Sequence, residues 1–132
     1  MKVSFEKEKS IVFGNIFRPY FPVNFWSRKR KSWIEVLTIV DTGADYTMLP
    51  IQYMDELGID KKKDASPFST FGVGGDSKVY ILNDEIEIQL AGKTLKAPLG
   101  FVDSVDVPPL LGRHRCLEKF RVVFENRETE IV

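Results

Sequence analysis

Val36-Leu37-Thr38-Ile39-Val40-Asp41-Thr42-Gly43-Ala44-Asp45 is the stretch on which the reading of this chain turns. Its first five residues are apolar or β-branched and predict a buried strand. The strand ends abruptly in an acid, a hydroxyl, a glycine, a small residue and a second acid. Gly43 permits a tight turn and the close approach of another backbone. Asp41 is therefore expected where a core strand breaks out onto a rigid base. A carboxylate in such a place is costly without partners, and carboxylates so placed tend to be functional.

Size and composition bound what that acid serves. The chain has 132 residues, enough for one domain with a real core, so residues 1–132 are expected to form a single domain. Hydrophobic residues make up 43% and charged residues 29%, the balance of a soluble globular protein. Nineteen basic and nineteen acidic residues leave no net charge, which argues against bulk attraction to nucleic acid or to a membrane. The single cysteine, Cys116, excludes an intrachain disulfide and reads as a small core residue. Met1–Ser10 is charged and has no apolar signal core, and no apolar run nears the roughly 20 residues that span a bilayer. A cytoplasmic protein is expected.

Two later stretches bear on the opening one. Gly72-Val73-Gly74-Gly75 lies between two β-prone segments and places three of the nine glycines in four positions. A phosphate loop would need a Lys-Ser/Thr ending and a following helix, and both are missing, so a hairpin is predicted. Val107-Pro108-Pro109-Leu110-Leu111-Gly112-Arg113 then brings a short apolar pair, a glycine and an arginine.

In this order, Asp41-Thr42-Gly43-Ala44-Asp45, the glycine-rich hairpin and Leu110-Leu111-Gly112-Arg113 resemble the retropepsin-like (retroviral-type) aspartic proteases. The resemblance covers roughly Pro19 to Phe124. It implies a mainly β, closed-barrel acid-protease fold with one or two short helices. It implies that Asp41 is the catalytic acid/base, and that Thr42 hydrogen-bonds across a dyad. Gly43 and Asp45 would offer backbone groups to a substrate, and Ala44 would keep the cleft wall low. Gly72, Val73, Gly74 and Gly75 would form a flap, with Val73 at its tip. Leu110, Leu111 and Gly112 would pack beside the catalytic loop, with Arg113 paired to Asp45 and His114–Phe120 forming a helix.

The rest of the chain fills in around these motifs. Pro19 and Pro22 predict an edge strand or irregular β structure. Phe25-Trp26 and Trp33-Ile34 flank Ser27–Ser32, predicting a hairpin with aromatics paired across it and a solvated basic tip. Pro50 suits the first turn of a helix that carries Ile51, Met54 and Leu57 on one face and stops at Gly58. Ile86, Ile88 and Leu90, then Leu95, Ala97, Leu99 and Phe101, alternate as two antiparallel strands joined at Ala91-Gly92-Lys93. A last hairpin turns at Asn126-Arg127, one strand more than retroviral subunits carry.

An aspartic protease needs two carboxylates that share a proton, and this chain has one Asp-Thr-Gly. Two chains must each contribute Asp41, so a homodimer acting on a peptide or protein substrate is expected. No cofactor is implied. One histidine, His114, and no Cys/His cluster leave no metal site to expect. Two other readings stand beside this one. The same fold could serve as a non-catalytic peptide-binding or dimerisation module, and the run Arg28–Lys31 could bind nucleic acid. The intact Asp-Thr-Gly favours catalysis over the first, and the neutral chain disfavours the second.

Overall fold

The structure is a computed structural model. It describes residues 1–72, 75–104 and 106–132, and of residues 70–72, 75 and 76 the backbone alone. Its strands are β1 (Lys2–Ser4), β2 (Glu6–Ser10), β3 (Gly14–Arg18), β4 (Tyr20–Ser27), β5 (Ser32–Val40) and β6 (Thr47–Pro50). A short helix α1 (Tyr53–Leu57) follows, then β7 (Ala65–Gly72), β8 (Gly75–Leu82), β9 (Ile86–Leu90), β10 (Lys93–Ala97), β11 (Leu99–Val102) and β12 (Leu110–Leu111). A 3-10 turn at Leu117–Lys119 leads into β13 (Val122–Glu125) and β14 (Glu128–Ile131). The fold is mainly β, as expected.

Nine strands form the principal sheet in the order β10-β9-β4-β5-β12-β6-β11-β8-β7. Among the described residues the ladder has two ends, β10 and β7, so the recorded pairing is an open series. Its centre holds two parallel neighbours, β12 on β5 and β11 on β6, inside an otherwise antiparallel sheet. Those parallel pairs carry the chain back past the end of β5, where Asp41 begins.

Side-chain alternation explains the core better than hydrophobicity alone. In β4, Phe21, Val23 and Phe25 point inward and are wholly buried; each is worth about 1.5–3 kcal/mol of burial. In β5, Val36, Thr38 and Val40 face the core while Leu37 is 41% exposed. The expected fully buried strand is thus half-buried. Thr38 takes an inward place because its hydroxyl donates to Phe21 O at 2.9 Å.

Several boundaries differ from expectation. β4 is interior, lying between β9 and β5, although it contains Pro22. Its register with β9 covers only Asn24 and Phe25, so the missing N–H of Pro22 falls outside that ladder. Pro50 ends β6 instead of opening the helix, and α1 starts at Tyr53. Met54 and Leu57 are its buried face, and Gly58, at φ 71°, stops it as predicted. The strand expected from Leu95 to Phe101 is two strands, broken at Pro98, which has no N–H for a ladder. The first half pairs with β9, and the second crosses to β6 and β8. The helix expected over His114–Phe120 is only a turn and the 3-10 segment, because Arg115 adopts φ 50° and interrupts it.

The terminal segments pair with each other. β1 lies antiparallel to β14, and β14 to β13, in a separate three-stranded sheet. The predicted turn is present, with Asn126 at φ 51° and Arg127 at φ 59°, the left-handed pair of a two-residue hairpin loop. The glycine-rich hairpin is also present: β7 and β8 pair from Ala65↔Leu82 to Gly72↔Gly75. Val73 and Gly74, expected at its tip, lie outside the described residues.

Candidate active site

Asp41 leaves the end of β5 and is held by main-chain contacts on both sides. Its N–H donates to Leu111 O at 3.0 Å, which ties the loop to β12. Its carbonyl accepts the Ala44 N–H at 3.1 Å, closing a tight turn. Its Oδ1 accepts the Gly43 N–H at 2.9 Å. The turn thus orients the carboxylate that it displays. A Cβ on Gly43 would stand 3.3 Å from that same Oδ1, so within this chain the glycine makes room for the carboxylate. Asp41 is half-buried, Ala44 likewise, and Thr42 and Gly43 are exposed.

The second motif crosses beneath this loop. Leu110 and Leu111 run parallel to Ile39 and Val40. Gly112 then passes so close to Tyr46 that an added Cβ would lie 2.2 Å from the Tyr46 carbonyl carbon, which no side chain tolerates. Its N–H donates to the Thr47 hydroxyl at 3.1 Å. The next two amides continue the seam: Arg113 N–H donates to Ala44 O at 3.0 Å and His114 N–H to Asp45 O at 2.7 Å. Leu111, Arg113 and the following His114 therefore bind Asp41–Asp45 through their main chain, and Gly112 between them binds the Thr47 hydroxyl just beyond it.

The expected side-chain pair is present. Arg113 donates from one guanidinium nitrogen to Asp45 Oδ1 at 2.7 Å. The Asp45 side chain is 84% exposed, so burial of the acid is not what calls for the pair. An exposed pair of this kind contributes no more than about 1 kcal/mol in a single chain. Its effect is to orient, together with the two main-chain bonds beside it. Asp45, Arg113, His114 and Glu118 line a shallow open depression next to the loop.

Two site residues escaped the sequence reading. Thr47 is 1% exposed, and its hydroxyl is the acceptor that fixes Gly112. Tyr46 is clasped between two glycines: its main chain lies against Gly112, and its ring edge is 2.7 Å from where a Gly100 Cβ would sit. Burial, then the Asp45 charge, raises the Tyr46 hydroxyl above the ordinary tyrosine value. The two isolated glycines downstream of a bulky aromatic were the available signal. Cys116 is fully buried, and burial pushes its thiol up to about 11, which agrees with a core role. No group of three or more metal-binding side chains occurs among the described residues.

Neither a family model nor a curated protein matches the sequence. Solved structures do. A retropepsin-like aspartic protease from Rickettsia conorii superposes with a TM-score of 0.65 at 19% identity, over 100% of this chain and 98% of that one. The EIAV protease, in complex with the inhibitor HBY-793, superposes with a TM-score of 0.52 at 22% identity, over 73% of this chain and 82% of its own. The chain has the fold of the retropepsin-like aspartic proteases.

Proposed function

We propose that the chain is an aspartic endopeptidase that hydrolyses peptide bonds through a water activated by a dyad of Asp41 from two subunits. The observation that carries this reading is the loop itself. Asp41 is displayed at the end of a core strand, oriented by the Gly43 amide, and braced from below by β12. A turn aspartate with a merely structural task needs no second motif crossing beneath it. The retropepsin-like fold supports the same class of chemistry.

The roles follow from the chemistry of two adjacent carboxyls. Like charges about 3 Å apart resist double ionisation, so the pair holds one proton. The ionised member takes a proton from water as the water oxygen attacks the peptide carbonyl carbon. The protonated member gives its proton to the carbonyl oxygen. Collapse of the tetrahedral species, with a proton delivered to the nitrogen, breaks the C–N bond. Thr42, exposed beside Asp41, bonds across the two-fold axis in this reading, and Asp45 and Arg113 hold the loop edge. In this reading the hairpin of β7 and β8, whose described ends are Gly72 and Gly75, is the flap over a bound peptide. Among the described residues no helix is long and apolar enough to cross a membrane; a cytoplasmic site of action belongs to this proposal.

The test is peptide cleavage by mixtures of wild type and Asp41→Asn after co-refolding. The variant alone is expected to be folded and inactive. Under free exchange, active dimers scale as the square of the wild-type fraction, so an equal mixture should retain about a quarter of full activity. A linear dependence with confirmed exchange excludes a shared dyad.

A further inference from the structure

The hairpin β2–β3 shares no strand pairing with the other two sheets among the described residues; only side chains, Glu8 with Tyr20 and Phe17 with Arg127, tie it to them. Its loop is three residues, Ile11-Val12-Phe13, closed by Gly14 at φ 73°. Ser10 Oγ accepts the Val12 and Phe13 amides, each at 3.2 Å, so the loop is shaped by its own hydrogen bonds. That loop displays three large apolar side chains to solvent: Ile11 completely, Val12 at 78% and Phe13 at 79%. Such a contiguous apolar tip marks an interaction site.

The root of the hairpin lies at the catalytic loop. Pro19, the link from β3 to β4, accepts the Val40 N–H at 2.9 Å, and Tyr20 stands opposite Ile39. Asp41 is the next residue along. A two-fold axis that brings two Asp41 carboxylates together therefore passes close to both hairpin roots, and strands of five residues carry each tip about 17 Å from its root. The terminal strands, meanwhile, are used within the chain. β1 is only three residues long and is already paired with β14, and Met1 exchanges main-chain bonds with Ile131 at 2.9 Å. A stable dimer buries about 800 Å² per partner, and the exposed tip offers large apolar side chains toward that area.

We infer that the Ile11-Val12-Phe13 tip is a docking arm that seats on a second copy of this chain and holds the dimer together. The inference rests on the shared-dyad reading, which makes a second copy obligatory. A lipid surface is the less favoured occupant, because the hairpin's three cations are set against two carboxylates and give no basic collar.

The experiment is sedimentation over a concentration series of wild type and of the variant Ile11→Ser, Val12→Ser, Phe13→Ser. The side chains are exposed, so the variant should fold with an unchanged thermal midpoint. Its dimer dissociation constant should rise by roughly a hundredfold or more. Cleavage per chain should fall at low concentration and recover once concentration exceeds the new constant. A photo-crosslinker on Asn15→Cys, beside the intact tip, should join two chains; buried Cys116 stays unlabelled. A variant that dimerises like wild type, a wild type that remains monomeric, crosslinks only within one chain, or a monomer that sediments with lipid vesicles through its tip would each overturn the inference. Mass is read independently of cleavage. A dimer that the tip substitutions dissociate, yet that never cleaves peptide, would leave this inference standing and remove the protease reading.

Discussion

Two hairpin tips in this molecule are both exposed but differ in charge and in what anchors them. The tip joining β4 to β5, Arg28-Lys29-Arg30-Lys31, is the most basic run in the chain and reads as solvated. In the structure its four side chains are exposed, as expected, while its main chain and two of its cations also reach α1 and the loop after it. Arg28 N–H donates to Leu57 O at 3.0 Å, Lys29 pairs with Asp55 at 3.2 Å, and Arg28 lies 3.7 Å from Asp64. The apolar tip, Ile11-Val12-Phe13, is exposed as well, and its loop is closed by its own Ser10 hydroxyl. The difference is one of backbone opportunity. The end of α1 leaves carbonyls in need of donors, and the basic turn brings N–H groups and cations to them. No helix end lies against the other tip among the described contacts. Two of the four cations on the basic tip are spent on carboxylates, which weakens any reading of it as a nucleic-acid patch.

The hardest blow to this contrast would fall at Gly58. It adopts φ 71°, and a Cβ there would lie 2.7 Å from the Lys29 main-chain nitrogen. Gly58→Val should cost about 2–4 kcal/mol through strain and overlap together, measured as a shift in the denaturant midpoint. A loss under about 0.5 kcal/mol would mean that the basic tip is not seated on α1.

A pair of serines sharpens the comparison at smaller scale. Ser27 is fully buried; its hydroxyl donates to Glu56 O at 2.6 Å and accepts the Arg30 N–H at 3.0 Å. Ser10 occupies the matching place at the apolar tip, but its two contacts are exposed. Ser27→Ala should cost about 1–2 kcal/mol, because Glu56 O loses its donor in a dry site, and Ser10→Ala about 0.5 kcal/mol or less. Equal losses would show that the two tips are anchored alike.

What the sequence disclosed, and what it hid, follows the same physics. The crossing of Asp41–Asp45 by Leu110–Arg113 was legible because each motif is short, ordered and chemically unusual. Arg113 could be assigned to Asp45 from the resemblance, but not from burial, since Asp45 is exposed. Thr47 was invisible: a threonine in an apolar run looks like any strand residue until the Gly112 amide is seen to need its oxygen. Pro98 was read past because apolar alternation continues across it, although its missing N–H sends the chain to another part of the sheet. The segment just before Pro19 was not resolved into elements from the sequence. Ile11-Val12-Phe13 has strand composition, yet Ser10 and Gly14 close a loop around it and leave the strands to its polar flanks. Local hydrogen-bond geometry outweighs composition there.

Those polar flanks provide the last and smallest test, at the root of the apolar hairpin. Glu8 accepts the Tyr20 hydroxyl and also meets Arg18 Nε at 2.7 Å. The hydrogen bond to Glu8, followed by burial and the Glu8 charge, raises the Tyr20 hydroxyl above its usual value, while Arg18 opposes the shift. A group that holds its proton more tightly when folded stabilises the fold below its unfolded pKa, near 10, and loses that contribution as pH rises through the higher folded value. Stability should therefore decline above about pH 10 by more in wild type than in Tyr20→Phe, which has no proton to lose. The side chain is only half-buried, so the difference should stay below about 1 kcal/mol. Denaturant midpoints taken from pH 9 upward on both proteins isolate it from the other tyrosines, which titrate in each. Parallel curves would mean that the Tyr20–Glu8 contact does not brace the root, and that the hairpin is held there by the Phe17–Arg127 stacking contact, 3.7 Å from ring centre to guanidinium, instead.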